Sequence, residues 1–201
     1  MEYANLGKML EHSAGRYSHL PSIIFKDLRI SYGDLNGAVN ALANHLQGLP
    51  VKKGDKVAIL LPNGPEFVIA YFAAAKIGAV AVTLSVFSTP YELQYLLDNS
   101  ESVILITTTA AAKRFAEIRD QVPRCRHLLL TDGAFGPSPF REAMEGNSPE
   151  FESPPIGSDD PAVMIYTAGL TGRPLGAVLT HGNMATQCTL LREICEGREG
   201  D

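Results

Sequence analysis

The sequence predicts an α/β protein: a layered, parallel-type sheet with helices on both faces. Three observations carry that expectation. Short apolar runs recur along the 201 residues: KVAILL (56–61), AVAVTL (79–84), SVILIT from Ser102, HLLLT (127–131) and AVMIY (162–166). An unbroken apolar run means a strand buried on both faces, which a helix-covered parallel sheet requires. A helix-start signal follows most of these runs, which gives βαβ order. Finally, 45% of the residues are hydrophobic and 19% are charged, so the chain can bury a core and is not disordered as a whole.

The elements follow in order. Residues 4–17 place Leu6, Met9, Leu10, Ala14 and Tyr17 at helical spacing. SIIFKDLRISY (22–32) predicts two short strands around a turn at Lys26-Asp27. Ser31 with Asp34 three residues later resembles a capping box, and the helix it opens runs to about Gln47 and ends on Gly48. Gly54-Asp55 makes a turn into the strand at 56–61. Asn63 offers a cap, with Pro65 in the first turn and Glu66 three later; that helix closes on Gly78. After the strand at 79–84, Thr89 and Glu92 form a second capping box for a helix through about Asp98. A strand from Ser102, a helix near 110–121 and a strand at 127–131 complete this stretch. Residues 133–160 are rich in Pro, Gly and Ser and predict a surface excursion with one short helix at 139–145. The strand at 162–166 resumes directly after it, so no domain boundary is expected there.

The charge excludes some functions. Seventeen basic and 22 acidic residues give a net charge of −5 with no basic cluster, which disfavours nucleic acid and anionic membrane surfaces as partners. Lys76, Gly78 and Pro90 interrupt the longest apolar stretches, so no membrane span is expected. The N-terminus lacks a basic start followed by an apolar run. Three scattered cysteines with no CxxC pair fit a reducing compartment, so the expected location is the cytoplasm. Cys188 and Cys195 lie seven apart on an expected helix and read as small buried side chains. Phe67, Tyr71 and Phe72 read as core, Lys52-Lys53 as exposed, and Asp159-Asp160 as a solvated loop, leaving no metal ligands to assign.

One segment is unusual. Tyr166 to His181 reads YTAGLTGRPLGAVLTH, with three glycines and two threonines between β-like segments. Such a loop can aim backbone N–H groups and hydroxyls at an anion, with glycine where the backbone turns or passes close to phosphate. It can equally be a glycine-rich hairpin. It has neither the GxxxxGK[ST] nor the GxGxxG spacing, so an ordinary P-loop NTPase is a weak reading. His181 has no evident partner for work as a base and reads as a cap of the next helix, a role that Asn183 shares.

The segment resembles the phosphate-loop signature of the adenylate-forming superfamily, roughly YTSGTTGxPKGVxxTH. Thr167, Gly169, Thr171, Gly172, Pro174, Gly176, Thr180 and His181 match it. ISYGDLN (30–36), the stretch 54–84 and YELQYLLDNSESVILI (91–106) are similar to the family in the same order, so the resemblance covers nearly the whole chain and looks most like the acyl- or aryl-CoA ligase branch, including long-chain fatty acid–CoA ligases. The resemblance implies residues 1–201 as a partial N-terminal AMP-binding domain, with ATP, Mg²⁺ and coenzyme A as cofactors and a small carboxylic acid as substrate. It implies that Thr167 and Thr171 donate hydroxyls while Gly169, Gly172 and Gly176 let the backbone approach the β- and γ-phosphates.

Three loop positions depart from that signature. Ala168 stands for its Ser, Leu170 for its first Thr and Leu175 for its Lys. Losing three such partners costs roughly 3–6 kcal/mol of phosphate affinity if nothing replaces them. Arg173 adjoins the loop, but its position is variable in the family and it reads as solvated. In the family, the acyl pocket, adenine and ribose contacts, Mg²⁺-linked glutamate and mobile lysine domain follow the position of Gly200-Asp201. The expectation is therefore an N-terminal fragment that does not turn over alone and exposes apolar surface prone to self-association, with no catalytic residue assigned. The alternative is a degenerate, non-catalytic nucleotide-binding or regulatory module of the same fold.

Overall fold

A computed structural model of the protein describes residues 5–132, 138–167 and 173–195. Helix α1 (Leu6–Tyr17) starts where the Asn5 side chain accepts the Lys8 amide. A two-stranded antiparallel ribbon follows, β1 (Pro21–Phe25) and β2 (Leu28–Ser31), turned by Lys26 at φ 54°. Ser31 caps α2 (Tyr32–Gly48) by accepting the Asp34 amide, and its hydroxyl donates to the Asp34 carboxylate at 2.7 Å.

The main sheet has six strands in the order β6-β5-β3-β4-β7-β8. They are β3 (Lys56–Leu60), β4 (Val80–Thr83), β5 (Ser102–Thr107), β6 (His127–Leu130), β7 (Pro161–Thr167) and β8 (Leu175–Thr180). Five strands run parallel, as expected, while β8 pairs antiparallel with β7. The connection from Thr167 to Leu175 is too short for the dozen or more residues of a parallel crossover, so the chain must fold straight back.

The connecting helices are α3 (Pro65–Lys76), α4 (Pro90–Ser100), α5 (Thr109–Ile118), α6 (Pro139–Glu145) and α7 (His181–Ile194). Helices α2, α3 and α6 share one core with Val57, Ile59, Ala81 and Ile104 from one sheet face. Helices α4 and α5 share the other, with Ala58, Leu60, Val82 and Leu105. Adjacent strand residues thus enter opposite cores, which is why the strands read as unbroken apolar runs.

Two local expectations change. Helix α3 has Gly64, not Asn63, at its N-cap. Pro65 takes the first helical position, where its missing N–H is no loss. The short helix expected at 139–145 is α6, and its segment is anchored to the body: Phe140 is fully buried, and Asn40 and Asn44 of α2 donate to the carbonyls of Pro149, Ser148 and Glu150. Cys188 and Cys195 are exposed, not buried. Burial along α7 stops at Ala185, so the cysteines share a side of a helix whose second half overhangs the body.

Candidate functional site

The neck of the glycine-rich loop is described on both sides. Thr167 ends β7, Leu175 begins β8, and the two face each other in the antiparallel register. The Thr167 hydroxyl donates to the Leu175 carbonyl at 3.5 Å. Gly169, Thr171 and Gly172, with Ala168 and Leu170, lie outside the described residues. Gly176 sits opposite Tyr166 in the register. A Cβ there would lie 3.0 Å from the Met164 sulfur and 3.1 Å from its Cγ, so a larger residue would have to push the flexible Met164 side chain aside. Leu175, which stands for the signature's lysine, is 62% exposed.

The neck lies at the carboxyl ends of β4 and β7. Helix α4, which follows β4, packs on one face of the sheet. Helix α7, which follows β8, packs against β7, β8 and α1, and α1 belongs with α2 and α3 on the other face. The chain therefore leaves β4 for one face of the sheet, whereas at the carboxyl end of β7 it turns straight back into β8. A crevice outside the carboxyl ends of the strands is where open α/β sheets bind ligands. A cavity of about 350 Å³ opens there, lined by Thr83, Ser85, Ser88, Glu92, Tyr166 and Thr167 among others. Phe87 stands at its edge, almost wholly exposed. The β4–α4 connection forming one wall is held by Arg114, which donates to the carbonyls of Val86 (2.9 Å) and Ser88 (2.6 Å). Glu92 completes the capping box: its carboxylate accepts the Thr89 amide at 2.8 Å and the Thr89 hydroxyl at 2.9 Å. Those bonds hold its pKa below the ordinary carboxylate value. Burial pushes the Tyr166 phenol up to about 12, so it is a neutral hydrogen-bonding group at physiological pH.

His181 is at the far end of the sheet. It follows Thr180, whose partner is Pro161 at the start of β7, so it cannot serve a reaction at the neck. Thr180, not His181, caps α7, in a reciprocal box with Asn183. His181 occupies the first helical position, fully buried, and its Nδ1 accepts the Leu6 amide at 3.3 Å. Burial lowers its pKa; Asp160 opposes that shift and Lys53 adds to it. Lys53 is more than an exposed cation: it pairs with Asp160 at 2.6 Å and donates to the Pro155 carbonyl at 2.9 Å. Asp160, read from sequence as merely solvated, also accepts the Gly157 amide at 2.8 Å.

Sequence reasoning missed two features. Lys76 is fully buried and donates to Asn36 (2.8 Å) and Asn40 (2.6 Å), with Glu11 at 3.3 Å. A lone cation in the apolar helix PEFVIAYFAAAK, opposite asparagines spaced by four at 36, 40 and 44, was the available signal. The other is Tyr95 of α4, which reaches the loop's returning limb.

Sheet, helices and loop position define an adenylate-forming type of α/β domain. The chain belongs to the AMP-binding enzyme family, whose sequence pattern matches residues 10–201. It is 34% identical to a crotonobetaine/carnitine–CoA ligase of Escherichia coli, over 92% of this chain and 40% of that protein. The fold matches ATP-bound MatB from Rhodopseudomonas palustris with a TM-score of 0.83 and 29% identity, over 94% of this chain and 37% of that one. It also matches the anthranilate CoA ligase AuaEII in complex with anthranoyl-AMP, with a TM-score of 0.86 and 23% identity, over 94% of this chain and 36% of that one, which speaks for the fold alone. The chain spans about 40% of the length of the curated relatives it matches. Among the described residues, no helix is long and apolar enough to cross a membrane.

Proposed function

We propose that this chain is the phosphate-loop portion of an ATP-dependent carboxylic acid–CoA ligase. The observation that carries this is the neck formed by Thr167 and Leu175, placed at the carboxyl ends of the parallel strands beside the 350 Å³ crevice. In the reaction, a carboxylate oxygen of the acid attacks the α-phosphate of ATP, pyrophosphate leaves, and a thiol then displaces AMP from the acyl-adenylate. Our reading assigns to Thr167, Gly169, Thr171, Gly172 and Gly176 the binding of the β- and γ-phosphates. A threonine hydroxyl and the backbone amides of a glycine-rich segment are donors of the kind that bind a polyphosphate; the Thr167 hydroxyl would give up its long 3.5 Å bond to the Leu175 carbonyl to do so. Mg²⁺ comes with ATP. The carboxylate lining the crevice, Glu92, is engaged by Thr89, so no protein ligand for the ion is assigned. The acid, coenzyme A and a cytoplasmic location follow from the same reading, as does a stretch from 1 to 201 that forms part of one domain and does not turn over by itself. Acyl-AMP made by this stretch alone would contradict that last point.

A second reading, a non-catalytic nucleotide-binding or regulatory module, is favoured by the exposed apolar Leu175 at the signature's lysine position. One experiment separates the two. ATP and AMP affinities are measured by calorimetry for the chain and for the triple variant Ala168→Ser, Leu170→Thr, Leu175→Lys. The restored partners raise ATP affinity by roughly 10²–10⁴, at about 1.4 kcal/mol per decade, and leave AMP affinity unchanged. A chain that binds ATP only after restoration supports the degenerate module. Unchanged ATP affinity overturns the assignment of this loop to phosphate. We also propose that apolar surface along β8 and α7 drives self-association of this stretch.

A further inference from the structure

We propose that Tyr95 is a positioning residue for the phosphate loop, with helix α4 as the fixed strut on which both limbs of the loop are held. This deepens the phosphate-loop reading above and rests on it.

The returning limb is held at two adjacent points. The Tyr95 hydroxyl donates to the Pro174 carbonyl at 3.0 Å. The Arg173 guanidinium lies over the Tyr95 ring, 5.8 Å from its centroid, within range of a cation–π contact. The outgoing limb reaches the same helix through Tyr166. Its hydroxyl lies 2.7 Å from Asn99 Oδ1, to which it donates, and 3.4 Å from the Leu96 carbonyl. Tyr95 and Asn99 are four residues apart, hence on one face of α4.

The strut is itself well fixed. A reciprocal capping box starts α4, Glu101 in the left-handed region ends it, and Leu93, Leu96 and Leu97 bury it in the core. Pro174 locks its own φ and restricts Arg173 to extended backbone, so holding the Pro174 carbonyl sets the direction in which the limb leaves the loop. The outgoing limb belongs to β7, which is paired on both sides within the sheet. The returning limb belongs to the edge strand β8 and has the greater need of a tether. Tyr95 fills that need: it holds Arg173 and Pro174 in place before ligand arrives, so less freedom is lost there on binding.

The test uses the full chain with Tyr95→Phe, which keeps the ring beneath Arg173 and removes the hydroxyl, and Tyr95→Leu, which removes both. Amide hydrogen exchange is followed over 168–175 and over the rest of the chain, alongside calorimetric affinities for ATP and AMP. Both variants should exchange several-fold faster over 168–175, Leu more than Phe, with exchange elsewhere unchanged. ATP affinity should fall roughly 3- to 10-fold in Tyr95→Phe, the worth of one neutral hydrogen bond, and further in Tyr95→Leu. AMP, which lacks the β- and γ-phosphates, should bind as before. Unchanged loop exchange overturns the tether. Faster loop exchange with unchanged ATP affinity overturns the positioning role. Faster exchange throughout marks Tyr95 as a general stability residue and also overturns it. A parent chain that binds ATP no better than AMP removes the phosphate-loop reading and this role with it, and is recognised before any variant is made.

Discussion

His181 joins two elements far apart in the sequence. Its Nδ1 must present a lone pair to accept the Leu6 amide, so the ring is neutral in the fold. Burial lowers its pKa from the ordinary 6.5, while Asp160 beyond it, paired with Lys53, partly restores the proton's affinity. The sign follows from linkage. Below 6.5 the unfolded chain takes a proton that the folded chain resists, so stability falls as pH drops from 6.5 towards the folded value. The slope is at most about 1.4 kcal/mol per pH unit for one proton. Melting temperatures taken between pH 7.5 and 5.5 should decline, and His181→Gln, which keeps an acceptor and cannot titrate, should flatten the decline. An identical slope in the variant would place the effect elsewhere. Lys76 shows the opposite situation, a cation kept inside. It is tolerated because Asn36, Asn40 and Glu11 replace the water it has lost. Burial still lowers its pKa, against the pull of Glu11.

At the scale of elements, what was legible in the sequence was what short-range chemistry decides. The box of Thr89 and Glu92 and the helix at 139–145 needed only a few neighbouring residues to recognise, and both stand in the structure. The antiparallel return of β8 follows from its short connection to β7, but the exposure of Cys188 and Cys195 depends on which distant segments arrive beside them, and no local pattern encodes that. Gly176 shows the same limit inside the candidate site. It matches a glycine of the loop signature, yet what the structure shows beside it is a tight contact with the Met164 side chain on the neighbouring strand. Helix α7 offers a test of how much local chemistry matters. Its first residues are the buried ones, His181, Gly182 and Ala185, and its start is held by the Thr180–Asn183 box. Thr180→Ala should lower stability by about 1 kcal/mol in chemical denaturation, the usual cost of a lost cap. Thr180→Ser, which keeps the hydroxyl, should recover most of it. A loss of similar size in both variants would mean that the Thr180 methyl group, and not the cap, is what counts.

For the whole molecule, the open question is the edge that ends in β8. Edge strands in stable monomers are short, charged, bulged or covered, because unpaired backbone groups invite another strand. The strand LGAVLT has no charged side chain, and Leu175 and Val178 on it are 62% and 48% exposed. Helix α7 beside it leaves Leu190, Leu191 and Ile194 exposed as well. Together these place an uncharged strand edge and an apolar helix end on the same side of the sheet, while the opposite edge strand, β6, leaves only Leu128 comparably exposed among its described residues. Association of this 201-residue chain through the β8 side is the expected result, seen as a sedimentation coefficient that rises with concentration. Val178→Lys charges the strand in the way natural edges are protected, and Leu191→Glu does the same for the helix. Each removes an apolar side chain worth about 1.5–3 kcal/mol when buried, so each should weaken association roughly tenfold or more without altering the far-ultraviolet circular dichroism. Leu128→Glu on the opposite edge should leave association unchanged. A parent chain that sediments as a monomer at every concentration, or a Leu128 variant that weakens association as much as the other two, would mean that the β8 edge does not drive it.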